Sequence, residues 1–156
     1  MPNQFQIRLM SDRDGSDAVT LTSLMDWRLE EEDFRFTNRI EPGGCFVATS
    51  EGEVIGIITS VSFGSVGWFG NVIVAEEHRG KGIGKALVSR VMDHLRAKGV
   101  TTVGLYAYKD LVSFYEQFGF VEDKDFLWLV CKNAAWKGNP RPPLQRSDLQ
   151  GVEELD

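Results

Sequence analysis

The chain has 156 residues, of which 42% are hydrophobic and 26% are charged, a composition typical of one soluble globular domain. Its net charge of −6 argues against binding nucleic acid through a basic face. No apolar run approaches the ~20 residues that span a bilayer, so we expect no membrane segment. The first residues show neither a basic nor an apolar leader, and we expect a cytoplasmic protein.

One strand and two helices are predicted before residues 41–44, which end the first region of the chain. Alternation over residues 5–10 predicts the first strand, and helical spacing from Ala18 to about Arg39 predicts two helices with a break near 30–33. Counted from Asp17, this region holds six acidic and three basic residues, a local charge of −3. It is either a solvated helix face or a negative lip that attracts a cationic amine or a basic peptide.

The middle of the chain predicts a hairpin and a further strand. Residues 45–59 form the hairpin, and residues 66–74 form the strand. Gly67 and Gly70 inside that strand predict a bulge or the close approach of another backbone. The strand contains no acidic residue, and Asn71 is its only amide.

The stretch after this strand predicts an anion site. Gly80, Gly82 and Gly84 lead into an amphipathic helix over 83–98, and a strand over 100–106 follows, so a right-handed parallel crossover is expected. The first N–H groups of a helix have no intrahelical partner, and the helix dipole adds positive charge there. A phosphate or pyrophosphate is the expected ligand. Basic side chains surround the turn: Arg79, Lys81 and Lys85.

Two common phosphate-binding motifs are excluded by specific residues. A P-loop would end in Gly84-Lys85, but Arg79 and Ala86 stand where it requires glycine and serine or threonine. The dinucleotide motif fails because its third glycine comes one residue early and the turn lies in the middle of the chain.

The turn resembles the acetyl-CoA motif of the GNAT superfamily of N-acetyltransferases, Gln/Arg-x-x-Gly-x-Gly/Ala between a strand and a helix. The matching residues are Arg79, Gly80, Lys81, Gly82, Ile83 and Gly84. Residues 110–120 end in Phe-Tyr-Glu-x-x-Gly-Phe and resemble a second motif of that family. This second stretch predicts a helix, with Asp110 as its N-cap and Gly119 after its last turn.

The resemblance covers about residues 5–132 and implies an α/β fold with a mixed central sheet flanked by helices on both faces. It implies transfer of acetyl from acetyl-CoA to a primary amine by direct attack in a ternary complex, with no metal. Main-chain groups of the strand would bind the acetyl and pantetheine parts, and one N–H would stabilise the developing oxyanion. The implied cosubstrate-binding residues are Val72, Ile73, Val74, Arg79, Gly80, Lys81, Gly82, Ile83, Gly84 and Lys85.

Tyr115 is the implied catalytic residue, because a phenol with a pKa of about 10 can protonate the departing thiolate of coenzyme A. Tyr108 departs from the family pattern, which often has an asparagine seven residues before this tyrosine. Many members also carry a glutamate as general base on the strand before the turn, and none is present here. The base stays open between a carboxylate of residues 30–33, a water chain and an amine that arrives neutral. His78 and His94 are interpreted as structural or solvated.

We expect a domain over residues 1–132, closed by a strand over 126–132, and an extended C-terminal tail over 133–156. Trp136 in the tail would dock on the domain or on a second subunit of a homodimer. Both cysteines, at positions 45 and 131, lie in apolar runs and are expected to be buried free thiols.

The sequence does not name the acceptor, which is a small-molecule or peptide amine. Four aromatic residues are candidate pocket walls: Trp27, Phe34, Phe36 and Trp68. Two other functions stay open. One is a module that binds coenzyme A without turnover, and the other is a regulatory protein that acts through the acidic helices and the tail.

Overall fold

The computed structural model describes residues 5–25 and 27–124, which fall in two compact units, 1–112 and 113–156. Short 3₁₀ turns precede α1, α3 and α4. The helices and strands are β1 (Gln6–Leu9), α1 (Gly15–Ser23), α2 (Glu31–Ile40), β2 (Phe46–Ser50), β3 (Glu53–Phe63), β4 (Val66–Val74), α3 (Ile83–Ala97), β5 (Thr102–Gly104) and α4 (Val112–Glu116). The strand predicted over 126–132, Cys131 and the tail over 133–156 lie outside the described residues. No helix within the described ranges is long and apolar enough to cross a membrane.

The five strands of this part of the chain form one mixed sheet in the order β1-β2-β3-β4-β5. The first four strands pair antiparallel, and β5 pairs parallel to β4. The predicted hairpin and the parallel crossover are therefore confirmed. The strand predicted over 100–106 is shorter than expected, and it pairs with β4 only along Val66–Trp68.

Helices lie on both faces of the sheet, as predicted. Ala18 of α1 belongs to one buried cluster with Ile57 and Ile73 of the sheet. The opposite face lies under α3, since a Cβ on Gly67 would come 3.1 Å from Leu95. Five α3 side chains are buried, and complete burial of each leucine or isoleucine contributes about 1.5–3 kcal/mol. They are Ile83, Leu87, Val88, Val91 and Leu95.

The break between the first two helices comes earlier than predicted. Helix α1 ends at Ser23, and the acidic run starts α2 instead of interrupting a helix. Asp33 accepts a hydrogen bond of 2.8 Å from the N–H of Glu30, which closes a capping box. Carboxylates are also favoured near a helix N-terminus by the helix dipole, so this run begins a helix.

The start of the last described helix also differs from the prediction. Asp110 is not an N-cap, because a 3₁₀ turn over Lys109–Leu111 precedes α4 and is closed by Leu111 N–H donating to Tyr108 O at 2.9 Å. The end is as predicted, since Gly119 follows the helix with a φ of 87°.

The end of α2 is tied to β3 and α3 by a buried carboxylate. Glu41 is only 1% exposed and accepts hydrogen bonds from the N–H and hydroxyl of Ser62 at 2.8 and 2.6 Å. His94 Nε2 lies 2.8 Å and Lys98 Nζ 2.5 Å from the same carboxylate. Burial raises the pKa of Glu41, but hydrogen bonds from Lys98, Ser62 and His94 outweigh it and lower the pKa to about 2. The structural interpretation of His94 is confirmed.

Candidate active site

Strand β4 carries the predicted bulge. Ile57 pairs with Ile73, and Thr59 pairs with Gly70. Between these two pairs the chain advances by two residues along β3 and by three residues along β4. The extra residue is Asn71, whose φ of 52° lies in the left-handed region. Asparagine tolerates this conformation better than most residues. The bulge is therefore formed by the asparagine that follows Gly70.

Beyond the bulge, alternate residues of β4 turn their main-chain groups away from β3. The N–H of Ala75 donates to Ile55 O at 2.9 Å, and hydrogen-bonded positions alternate along an antiparallel pair. The polar groups of Ile73 therefore turn toward β3, and those of Val72 and Val74 turn to the other side. The pairing with β5 stops before this point, so among the described residues that side of β4 is an open edge. It suits an extended ligand that carries amide groups of its own.

The glycine turn provides space as well as an unusual backbone. Gly80 has a φ of 75° and Gly82 a φ of 82°, in the region that side chains rarely adopt. A Cβ built on either glycine meets nothing within 4 Å, so a ligand can approach the main chain directly. Gly84 lies inside the first turn of α3.

The N-terminus of α3 presents unfilled donors to the same space. The first intrahelical bond runs from Ala86 N–H to Gly82 O at 3.0 Å, so no carbonyl of the helix reaches the N–H groups of the three preceding residues. They are Ile83, Gly84 and Lys85. No acidic side chain occupies this first turn. A phosphate is the group that such a helix start stabilises.

Three basic side chains stand around the turn. Arg79 donates from Nε to the carbonyl oxygen of Val74 at 3.0 Å, which ties the turn to the end of β4. Lys81 and Lys85 are exposed and form no ion pair with any described residue. The structure thus brings the predicted residues together along one continuous path, from the open edge through the glycine turn to α3.

Tyr115 lies in the second unit, of which residues 113–124 are described. The residue is 7% exposed, and its ring packs edge-on against Phe114 and Phe120, with centroids 5.0 and 6.2 Å away. Burial raises the pKa of this phenol. The hydroxyl therefore stays protonated at neutral pH, as a proton donor requires.

The carboxylates considered as general bases have other partners. Asp33 caps α2, and Glu31 and Glu32 form ion pairs with Arg35 at 3.1 and 3.0 Å. These groups are occupied in stabilising the first turn of the helix. His78 lies in the 3₁₀ turn before the glycine turn and lines a separate cavity.

That cavity has a volume of about 690 Å³ and lies between α1, the β2–β3 turn and the end of β4. Four carboxylates and no lysine or arginine line it, so it favours cations. Its lining residues are Asp17, Thr20, Leu21, Leu24, Ser50, Glu51, Glu53, Val54, Ile55, Ala75, Glu77 and His78. None of them belongs to β5 or α3, so the cavity is distinct from the open edge of β4.

The predicted pocket walls divide into two groups. Phe34 is 2% exposed in the core beneath α2, because its helix buries it, and it is not available as a wall. Phe36 is exposed. Trp27 donates from Nε1 to the hydroxyl of Tyr108 at 3.1 Å, which links the α1–α2 loop to the loop after β5. Trp68 packs on Tyr106 with ring centroids 4.8 Å apart.

Sequence reasoning missed two polar groupings near the sheet. Asn71 donates from Nδ2 to Thr59 Oγ1 at 3.0 Å. This pair would have been found by placing the bulge at the asparagine and counting the register back along β3. The cluster of Glu41 with Ser62, His94 and Lys98 has a weaker signal in the sequence. That signal is the spacing of His94 and Lys98 by one helical turn.

Comparisons with known proteins agree with this geometry. Residues 10–120 match the model of the Acetyltransferase (GNAT) family. The acetyltransferase SG1711 of Sodalis glossinidius is 30% identical over 134 residues, which cover 81% of this chain and 94% of that protein. The chloroplastic serotonin N-acetyltransferase 2 of Oryza sativa is 40% identical over 63 residues, 40% of this chain and 30% of that protein. Several curated relatives are matched over only about a third of their length.

Solved structures share the fold. An acetyltransferase of Trypanosoma brucei superposes with a TM-score of 0.67 at 24% identity, over 81% of this chain and 99% of that chain. A Mycobacterium tuberculosis protein solved in complex with CoA and NLQ superposes with a TM-score of 0.68 at 20% identity, over 76% and 73% of the two chains.

Proposed function

Because this chain belongs to the GNAT family of acetyltransferases, we propose that it moves acetyl from acetyl-CoA to a primary amine of a small molecule or peptide, by direct attack in a ternary complex. The observation that carries the proposal is the continuous path from the open edge of β4 into the glycine turn. It offers amide-binding groups at one end and phosphate-binding groups at the other. Acetyl-CoA has its pantetheine amides and its pyrophosphate in that order.

Each part of the path has its own role in holding acetyl-CoA. The outward groups of Val72 and Val74 would pair with the pantetheine amides as a strand pairs with its neighbour. The first N–H groups of α3 would bind the pyrophosphate, with charge from Lys81 and Lys85. Gly80 and Gly82 leave the room that the phosphates need.

The chemistry is acyl transfer between two bound molecules. The lone pair of the amine attacks the thioester carbonyl, the C–N bond forms, and the C–S bond breaks with its electron pair on sulfur. An outward N–H of β4 would stabilise the negative charge that develops on the carbonyl oxygen. The phenol of Tyr115, kept protonated by burial, would give its proton to the sulfur. Holding both reactants side by side supplies much of the rate.

Direct attack is supported by the state of Cys45. This thiol is 1% exposed, and burial raises its pKa to about 11. It is therefore neutral and inaccessible at pH 7, unlike a cysteine that would carry the acetyl group as a covalent intermediate.

The thiol of Cys45 is expected to be inert in the native protein. In a Cys131→Ser variant, a disulfide reagent such as DTNB should react with less than a tenth of one thiol per chain over an hour. Reaction should be complete within minutes in 6 M guanidinium chloride, which exposes the thiol. Rapid labelling of the native variant, with loss of activity, would contradict both the burial of Cys45 and its exclusion as an acyl carrier.

The proposed function is tested by titrating acetyl-CoA into the protein calorimetrically and then screening amines. The screen should include arylalkylamines and amino sugar phosphates, since relatives are named serotonin N-acetyltransferase and glucosamine 6-phosphate N-acetyltransferase. It should also include polyamines and peptides. We expect micromolar binding, an acetylated product by mass spectrometry, and intersecting initial-rate lines for the two substrates. Parallel lines would contradict direct attack in a ternary complex.

A module that binds coenzyme A without turnover is the second candidate. The observation that favours it is the absence of any carboxylate in β4, where many related enzymes carry their base. Tight binding of acetyl-CoA with no product from any amine in the screen would select this candidate over the enzyme.

Replacement of Tyr115 by phenylalanine tests the proton donor. We expect kcat to fall by about a hundredfold, because the thiolate loses its acid, while the Kd of acetyl-CoA stays within twofold. Tyr106→Phe is the matched control, since it removes the hydroxyl of an exposed tyrosine and should leave kcat unchanged. Equal kcat values for the two variants would remove Tyr115 from the mechanism.

A further inference from the structure

The β3–β4 hairpin carries very few groups that could handle an amine. Between residues 54 and 74 the chain contains no charged residue. Two of its serines already have partners, because Ser60 donates to Gly44 O at 2.7 Å and Ser62 bonds to Glu41. Thr59 and Asn71 remain as the polar side chains beside the bulge.

The backbone of the bulge fixes where Asn71 stands. Its φ of 52° costs strain for most residues, and glycine, asparagine and aspartate bear it best. Its neighbour Val72 turns its main-chain N–H to the open edge of β4. A Cβ on Gly70 would meet nothing within 4 Å, so there is room beside the bulge for a ligand.

The hydrogen bonds of Thr59 orient the amide of Asn71. The hydroxyl of Thr59 is directed at Gly70 O, at 3.4 Å, so its single hydrogen is already assigned. It therefore accepts from Asn71 Nδ2, at 3.0 Å. This bond turns Oδ1 away from Thr59, and no described residue donates to it. Asn71 is partly exposed, whereas Thr59 is buried.

The face of the sheet to which the Thr59 side chain points is also defined. Thr59 lies two residues from Ile57 along β3, so both side chains point to the face that carries α1. The Oδ1 acceptor thus stands on that face, one residue from the outward N–H of Val72. A donor and an acceptor side by side match the two groups of the reaction, a carbonyl oxygen and an N–H.

From this placement we propose that Asn71 Oδ1 accepts a hydrogen bond from the attacking amine, and that Thr59 is the positioning residue that holds it there. The inference rests on the proposed function and deepens it. An amide oxygen accepts a hydrogen bond but does not take the proton at neutral pH. The acceptor is therefore an uncharged primary amine, aligned by Asn71 instead of being deprotonated by a carboxylate.

The reaction balances without a protein base. The amine nitrogen gives its lone pair to the carbonyl carbon, and the C–S bond breaks with its pair on sulfur. The nitrogen then gives up one proton to solvent, and the sulfur gains the proton of the Tyr115 phenol, which solvent replaces. The products are the N-acetyl amide and the free thiol of coenzyme A.

The test compares substitutions that keep the bulge. Asn71→Gly accepts the left-handed backbone but removes the amide, so kcat/KM for the amine should fall at least tenfold. Asn71→Asp keeps an acceptor oxygen and should lose less than Asn71→Gly. Thr59→Val removes only the hydroxyl and should lower kcat/KM about fivefold, and Thr59→Ser should restore it. The Kd of acetyl-CoA should stay within twofold in all four variants.

Two results would overturn the inference. One is an Asn71→Gly enzyme with kcat/KM for the amine within twofold of wild type. The other is a loss of acetyl-CoA affinity that accounts for the loss of rate, because Asn71 would then act on the cosubstrate through the bulge. Failure of the proposed function is seen separately, as a wild-type protein that binds no acetyl-CoA or acetylates no amine.

Discussion

Replacement of Gly82 by glutamate is expected to weaken acetyl-CoA binding by about a hundredfold. The new side chain enters the open space in front of the first turn of α3, where the pyrophosphate would lie. Its charge repels the phosphates by about 1–3 kcal/mol, depending on the local dielectric. The left-handed backbone at φ 82° costs ~1–2 kcal/mol of folding stability for a residue with a Cβ, in the free and the bound protein alike. Isothermal titration calorimetry measures the loss.

Gly99→Glu is the matched control for this prediction. Gly99 has the same φ of 82°, a Cβ there also meets nothing within 4 Å, and it follows the opposite end of the 15-residue helix α3. The two variants add the same charge and the same backbone strain. We expect similar losses of thermal stability but near wild-type binding for Gly99→Glu. Similar Kd values for the two variants would place acetyl-CoA somewhere other than the glycine turn.

The second large effect is expected in stability. Glu41→Gln should lower the free energy of unfolding by about 2–4 kcal/mol, because it removes the charge that Lys98 and His94 share and weakens the bonds from Ser62. Urea unfolding at pH 7 measures the change. The matched control is Glu32→Gln, since the Glu32 carboxylate is exposed and its ion pairs should contribute less than ~1 kcal/mol. Equal stabilities would show that the buried cluster is dispensable.

The same cluster has a defined pH dependence. The pKa of Glu41 is about 2 in the folded protein, against an ordinary value of 4.5. Its contribution is therefore complete above pH 4.5 and is lost as the pH falls toward 2. Asp14, held by Arg8 with a pKa of about 2, has the same dependence in wild type and variant. The stability difference between wild type and Glu41→Gln should therefore shrink from pH 5 to pH 2.

The structure of the glycine turn and of the strand and helix beside it was largely predictable, because its signals are local in sequence. One short stretch contains the β-branched strand, the glycines at 80 and 82 and the amphipathic helix. Each of these patterns predicts a backbone conformation directly.

The acidic run at 30–33 was misjudged for a related reason. Such residues stabilise a helix start as readily as they fill a loop, and only the capping bond of Asp33 decides between them.

The polar clusters were not predictable because their partners are distant in sequence. Glu41 bonds to residues 21, 53 and 57 positions away, and nothing in its local sequence distinguishes a buried carboxylate from a solvated one. Asn71 and Thr59 are 12 positions apart, and their contact depends on the one-residue shift at the bulge. A regular register continued from the β3–β4 turn would have placed Asn71 opposite Ile58, on the other face of the sheet from Thr59.

The bond between Arg79 and the end of β4 bears on how the first position of the glycine motif is chosen. The family pattern admits glutamine or arginine there, two residues of different charge that share a planar N–H donor on a flexible stem. In this protein that donor is used on the carbonyl of Val74, at 3.0 Å. Arg79 thus fixes the strand to the turn, and in the proposed complex the phosphates would be held by the backbone of the turn and helix start together with the charges of Lys81 and Lys85. The ability to donate to a strand carbonyl is what the two permitted residues have in common, and it accounts for a position that admits both a neutral and a charged side chain.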